Sequence, residues 1–308
     1  MNYLITGGAG FIGSNIAHKL LETGHRVRIL DNFSSGKEDN LAAVKNDIEL
    51  IRGDIRDIDI VKKAVEGIDY VYHQAALASV QASIDNPLES HEINLTGTLN
   101  MLEYSRRAGV KKFIMASSAA IYGDSPVLPK HEKMPPEPLS PYAVHKLTGE
   151  YYLCLFWQLY KFPTVALRYF NVFGPRQDPK SDYAAVIPCF IDRMVKGEAP
   201  TVFGDGKQTR DFIYIDNCVA ANLLAAENDD MVGEVFNVAG GDRFTLNQLL
   251  EELRAITGKD IKAVYEPARS GDIRHSYASI DKIKKLGFKP GVGFPEGLKK
   301  TVEYFAAR

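Results

Sequence analysis

The chain of 308 residues is short of most features that mark a special environment. No apolar run approaches the ~20 residues that a membrane-spanning helix needs, which excludes a helical membrane protein. Cysteine is scarce: Cys154, Cys189 and Cys218 lie far apart, so neither a disulfide framework nor a zinc site is expected, only packed thiols in a reducing compartment. The seven histidines show no metal-ligand spacing, and no metal is expected. Neither sign of charge dominates, with 37 Lys and Arg against 39 Asp and Glu, which argues against a nucleic-acid or polyanion surface. Low-complexity segments, long linkers and solenoid-length repeats are missing. Residues 1–6 run straight into a strand pattern, which leaves no room for a signal peptide. A soluble, cytoplasmic protein is the expectation.

What is present is a globular composition, 45% hydrophobic and 25% charged, long enough for one large or two joined domains. Its opening is strand, glycine turn, helix, strand, acid. Residues 2–6 are β-rich, and Gly7, Gly10 and Gly13 follow. Residues 14–23 carry apolar side chains at helical spacing, and residues 27–31 form the next strand, ending in Asp31. This is the pattern of a dinucleotide-binding unit. Gly7 permits the tight turn, Gly10 lets the backbone approach a pyrophosphate, and Gly13 lets helix and strand pack closely. The phosphates would sit on the helix N-terminus, where free N–H groups and the dipole favour anions. The spacing is G-x-x-G-x-x-G with Gly8 added, not G-x-G-x-x-G. Asp31 would accept hydrogen bonds from an adenosine ribose and repel a 2′-phosphate, which favours NAD over NADP. Asn32 and residues 34–36 continue a polar loop.

Strands at residues 48–51, 69–73 and 112–116 alternate with helices at 58–65 and about 87–108, the last with Asn94 facing the site. Such alternation implies a parallel sheet with ligands at the carboxyl ends of its strands. Ser117 and Ser118 fall at one such end, where a hydroxyl can bond a substrate oxygen. Pro141 suits a first helical turn, and Tyr142 and Lys146 then share one helix face. A phenol titrates near ~10, but a neighbouring ammonium pulls it down. Tyr142 is thus a candidate general base for a hydroxyl proton.

The glycine loop, Asp31, Ser118 and Tyr142-x-x-x-Lys146, in this order, resemble the extended short-chain dehydrogenase/reductase superfamily over essentially the whole chain. Within it the sequence is most similar to UDP-sugar 4-epimerases, above all those acting on UDP-N-acetylglucosamine. The resemblance implies a Rossmann-type doubly wound parallel sheet over residues 1–170, with 211–235 returning to it, and a smaller α/β lobe for the UDP-sugar over 171–308. It implies bound NAD and a catalytic triad. Ser118 would orient the sugar hydroxyl, Tyr142 act as acid and base, and Lys146 hold the nicotinamide ribose. Around NAD it implies Gly7, Gly10, Phe11, Ile12, Gly13, Asp31, Asn32, Ser35, Gly36, Asp54, Ile55, Gln74, Ala75, Ala76, Asn94, Ser117 and Tyr169. Around the substrate it implies Ser79, Ser118, Asn171, Val186, Ile187, Phe203, Arg210, Arg269, Asp272 and Ser276. A homodimer through helices near 87–108 and 141–161 is also implied.

Related 4,6-dehydratases carry an Asp-Glu pair after the active-site hydroxyl, and related decarboxylases a Glu. Here Ala119 and Ala120 stand there, and neither moves a proton. That leaves oxidation and reduction at C4: epimerisation of UDP-N-acetylglucosamine and UDP-N-acetylgalactosamine, and possibly of UDP-glucose and UDP-galactose. Arg210 and Arg269 suit the diphosphate through forked guanidinium contacts. Ser276 leaves room for an N-acetyl group where epimerases of unacetylated sugars carry a large aromatic. Two alternatives stand beside this reading. One is a UDP-glucuronate 4-epimerase using Arg176 or Arg274; the other is a non-catalytic NAD-binding sensor.

Overall fold

A computed structural model describes residues 1–179, 185–268 and 274–307. The chain opens with strand β1 (Asn2–Thr6), helix α1 (Phe11–Glu22) and strands β2 (Arg26–Asp31) and β3 (Ile48–Arg52). Helix α2 (Ile58–Val65) leads to β4 (Tyr70–His73), then to the short helices α3 (Val80–Asp85) and α4 (Pro87–His91). A π-helical turn (Glu92–Thr96) joins α4 to α5 (Gly97–Arg107). Strand β5 (Lys112–Ser118), the long helix α6 (Pro141–Tyr160) and β6 (Thr164–Tyr169) follow. The remainder comprises β7 (Asn171–Phe173), α7 (Val186–Lys196), β8 (Thr201–Phe203), β9 (Thr209–Arg210), β10 (Phe212–Tyr214) and α8 (Ile215–Glu227). It ends with β11 (Glu234–Val238), β12 (Phe244–Thr245), α9 (Leu246–Thr257), β13 (Val264–Glu266), α10 (Asp281–Lys284) and α11 (Phe294–Ala306).

Seven strands form one parallel sheet in the order β11-β6-β5-β4-β1-β2-β3. The order reverses between β1 and β4, which opens a crevice at their carboxyl ends. Successive strand residues point to opposite faces, so β1 sends Ile5 into one apolar cluster and Leu4 into the other. Each large aliphatic buried this way contributes ~1.5–3 kcal/mol.

Two segments differ from the sequence expectation. Helix α1 begins at Phe11, not at residue 14, because the glycine loop itself supplies the first turn. The helix expected over 87–108 is interrupted by the π turn, which apolar periodicity does not register. After α6, β6 stays in the sheet, while β7 leaves it to pair in parallel with β10. Beyond this point an aromatic cluster takes over, with Phe244 stacked on Phe294 at 4.2 Å and Phe173 packed edge-on to Phe212, Tyr214 and Phe294.

Among the described residues no helix is long and apolar enough to cross a membrane. No group of three His, Cys, Asp or Glu among them could hold a metal ion.

Candidate active site

The glycine loop is built around close backbone approach. Gly7 sits at φ +67°, and a Cβ there would meet the Ala75 nitrogen at 2.8 Å. A Cβ on Gly13 would meet the Gly7 carbonyl at 2.3 Å. Gly10 is the N-cap of α1 and no side chain caps that helix. A glycine-lined turn opening an uncapped helix N-terminus at the sheet crevice fits a pyrophosphate. Gly7 therefore meets Gln74 and Ala75 across the β1–β4 gap, while Gly10, Phe11, Ile12 and Gly13 continue from it into the first turn of α1.

Asp31 closes the second strand. One carboxylate oxygen accepts from the Ala9 N–H and the other from the Phe33 N–H, each at 2.8 Å. Burial pushes its pKa up against these two bonds. A carboxylate has about four lone-pair sites, so these bonds fix its position and leave capacity for ribose hydroxyls. Gly36 lies against it: a Cβ there would come within 2.9 Å of an Asp31 oxygen. Ser35 is exposed beside Gly36. Asn32 donates to Asp54 at 2.9 Å, and Arg56 holds the Asp54 carboxyl down to about 2. Ile55 is buried behind Asp54.

Asn94 does not act alone. Its amide accepts from the Leu77 N–H at 2.7 Å and donates to the Leu77 carbonyl at 3.0 Å, pinning the loop that follows β4. Gln74 donates to the Tyr169 hydroxyl at 3.2 Å, and that hydroxyl donates to Asn222 on α8 at 2.9 Å.

Ser140 caps α6 by accepting from the Ala143 N–H, and Pro141 occupies the first turn. Tyr142 and Lys146 follow on one face, with the Lys146 Nζ 5.8 Å from the Tyr142 ring centroid. Lys146 donates to the Ala116 carbonyl at 2.8 Å. The Ser118 hydroxyl accepts from the Ala120 N–H at 3.1 Å and shares a hydrogen bond with Tyr142. Ser118, Tyr142 and Lys146 thus converge at the carboxyl end of β5.

The electrostatics correct one expectation. Lys146 was expected to pull the Tyr142 phenol down; burial dominates instead and pushes it up, with the Ser118 hydrogen bond acting in the other direction. Burial also lowers Lys146 to about 8, opposed by Glu150. Both shifts have one cause, the removal of a buried charge from water.

Several substrate-side candidates lie on adjoining segments. Arg210 donates to the carbonyls of Thr209 and Arg274, at 3.0 and 3.4 Å. The Ser276 N–H donates to the Thr209 carbonyl at 3.0 Å, so Arg210 and Ser276 share a ladder. Asn171 donates to the Asp211 carbonyl beside Arg210 at 3.1 Å. Phe203 ends β8, and its carbonyl accepts from Gln208 at 2.6 Å. Val186 and Ile187 open α7, with Ile187 in the core. Ser79 caps α3, accepting from the Ala82 N–H at 3.0 Å. Arg269 and Asp272 lie outside the described residues.

Sequence reasoning missed several buried polar groups around the site. His73 shares hydrogen bonds with the hydroxyls of Thr6 at 2.8 Å and Thr98 at 2.9 Å. Thr98 spends its proton on the Asn94 carbonyl, which assigns the histidine proton to Nε2. Burial, with Lys146 adding to it, drives His73 down to about 3. Glu150, held by Arg168 and Ser117, was also missed, although Tyr142, Lys146 and Glu150 continue one four-residue spacing. Asp211 is fully buried; its carboxylate accepts from Gly240, Gly241 and Ala278, yet burial lifts it to about 7. Nothing in the sequence marks Asp211 apart from its place beside Arg210.

Comparison with known proteins bears on the same arrangement. The model of the NAD dependent epimerase/dehydratase family matches residues 3–239. A putative UDP-glucose 4-epimerase of Methanocaldococcus jannaschii is 41% identical, covering 98% of this chain and 97% of that protein. The structure of a Thermotoga maritima UDP-glucose 4-epimerase with UDP-glucose superposes with a TM-score of 0.95 at 44% identity, covering 100% of this chain and 99% of that one. The structure of a Methanobrevibacter ruminantium UDP-N-acetylglucosamine 4-epimerase also gives 0.95 at 44% identity, over 99% and 98%. With a glycine cradle, a parallel sheet and a Tyr-Lys pair of this kind, the chain belongs to the NAD dependent epimerase/dehydratase family.

Proposed function

We propose that this enzyme interconverts the C4 epimers of UDP-hexoses, UDP-N-acetylglucosamine and UDP-N-acetylgalactosamine foremost. The observation that carries the reading is the convergence of Ser118, Tyr142 and Lys146 at the end of β5. Beside it, Ala119 and Ala120 offer no acid or base for elimination. Ser276, half-buried on the Arg210 ladder, supports room for an acetamido group.

The glycine loop would hold the dinucleotide phosphates and Asp31 its ribose. NAD+, when bound, supplies the hydride acceptor and a positive charge that favours the phenolate. Tyr142 takes the proton of the 4-hydroxyl and returns it after the 4-keto sugar has turned. Ser118 holds the reacting oxygen. Lys146, anchored on the Ala116 carbonyl, keeps a positive charge beside the phenol. Arg210 and Arg269 grip the diphosphate while the hexose remains loosely held, so the sugar can present either face.

The exposed apolar side chains of α6, Val144, Tyr151, Leu155 and Leu159, recur on one side of the helix, and Leu88 of α4 is 83% exposed. A second copy of the chain covering this stripe gives a homodimer. Light scattering of Leu159→Glu, expected to report a monomer, tests this part.

The function itself is tested by incubating the purified enzyme with UDP-N-acetylglucosamine, UDP-glucose and UDP-glucuronate and separating the products. The 4-epimer of the N-acetylated sugar should form fastest. Conversion of UDP-glucuronate alone would move the assignment to that substrate, and no conversion of any of them would overturn it. Cofactor released from the purified protein should be NAD(H) and not NADP(H).

A further inference from the structure

Helix α6 places Tyr142, Lys146 and Glu150 on three successive turns. The last three residues of β5 meet them one for one. Tyr142 bonds Ser118, the Lys146 Nζ bonds the Ala116 carbonyl, and Glu150 accepts from the Ser117 hydroxyl. Glu150 is only 3% exposed. Arg168 on β6 grips it with two nitrogens, Nε at 2.9 Å and Nη2 at 2.7 Å. The third nitrogen of that guanidinium donates to the Tyr122 hydroxyl at 2.8 Å, which donates to Asn237 on β11 at 2.7 Å. Asn237 in turn donates to the carbonyls of Lys130 and Ser279, at 3.0 and 3.3 Å.

A buried ion pair contributes less to stability than apolar packing of the same volume. The position of this one, directly behind the base helix, calls for another role. We propose that Glu150 is a positioning residue for the Tyr142–Lys146 pair: clamped by Ser117 and Arg168, it locks α6 to the end of β5 and fixes a negative charge one turn behind Lys146. The inference rests on the epimerase reading for the use made of Tyr142, but the geometry is independent of the sugar.

Among the described residues, the titratable groups facing Lys146 are Tyr142, His145 and Glu150 on its own helix and His73 on β4, with the Arg168 guanidinium of β6 behind Glu150. Burial lowers both histidines and raises the phenol, so none of these three is charged at neutral pH. Glu150, ion-paired with Arg168, opposes the burial that lowers Lys146.

The test reads Lys146 directly, by titrating its 13Cε resonance in protein carrying labelled lysine, with Lys146→Met to assign the signal. In Glu150→Gln the titration should move down by about one unit or more. The alkaline limb of the kcat–pH profile should move with it. Because a lone buried guanidinium can unfold a protein, Glu150→Gln/Arg168→Gln is measured alongside. It replaces the pair by two amides and should show a smaller downward shift, because the Arg168 charge, which opposes that of Glu150 at Lys146, is lost with it. A folded variant whose Lys146 titrates as in the parent overturns the proposal, whatever its turnover. Loss of folding in both variants would assign the pair to stability alone and overturn it too. Should the parent enzyme turn over no nucleotide sugar, the epimerase reading falls while the titration still decides the role of Glu150.

Discussion

The hydroxyl of Ser83, on α3, accepts the backbone N–H of Tyr142 at 3.1 Å. That N–H lies in the first turn of α6, where no carbonyl of the same helix can reach it. The candidate base is therefore placed by a residue 59 positions earlier in the chain, as well as by its own helix. Ser83 donates in turn to the Val80 carbonyl at 2.6 Å, so α3 and α6 are fixed as a unit.

Tyr142→Phe keeps the ring and removes the ionisable oxygen. Turnover should fall by ~10² or more, the usual contribution of general acid-base catalysis, while UDP-sugar binding by calorimetry stays near the parent value. A variant with near-normal kcat would remove Tyr142 from the mechanism.

Gly13→Ala puts a methyl group where the Gly7 carbonyl stands 2.3 Å away. The helix must shift from the loop, at a cost of ~1–3 kcal/mol. The variant should melt earlier and lose the dinucleotide that co-purifies with the parent; unchanged cofactor content would mean that the loop yields without consequence.

His73 sets part of the acid limb of stability. Its folded pKa of about 3 lies below the unfolded value of about 6.5. The stabilisation from keeping the ring neutral is present above pH 6.5 and is lost as pH falls toward 3. Each unit of difference is worth ~1.4 kcal/mol, so the full effect is on the order of 5 kcal/mol. Urea melts between pH 7 and 4 should show this decline in the parent. His73→Gln, which retains hydrogen-bonding groups between Thr6 and Thr98, should show a shallower one. Parallel curves would assign the decline to other groups.

Ser276→Tyr adds a ring at the position proposed to admit the acetamido group. Overpacking of ~1–3 kcal/mol should cut activity on UDP-N-acetylglucosamine about ten- to a hundredfold and spare UDP-glucose. Equal losses on both sugars would remove Ser276 from the C2 pocket.

The legible parts of this molecule were those whose chemistry repeats locally. Three glycines and Asp31 lie within one strand–helix–strand unit, and Tyr142 and Lys146 within one turn of helix, so spacing alone placed them together. Glu150 and Arg168 were opaque for the opposite reason. They sit on different elements, and an acid and a base 18 residues apart look like ordinary surface charge until the sheet brings them together. Asp211 reads as a polar residue in a loop, and only the fold reveals three N–H donors aimed at it. The fate of Tyr142 was misjudged because a neighbouring charge is visible in a sequence and desolvation is not.

The π turn over Glu92–Thr96 carries an uncounted residue. Within it Asn94 holds Leu77, and Thr98, in the first turn of the helix that follows, holds His73. A π turn of this kind holds one residue more than an α turn. Shortening it by one residue would restore ideal helical geometry and strengthen its local backbone, yet would release the loop behind the crevice. In this segment the more regular chain would be the poorer enzyme, and any alignment that counts helical periods across residue 94 slips by one place.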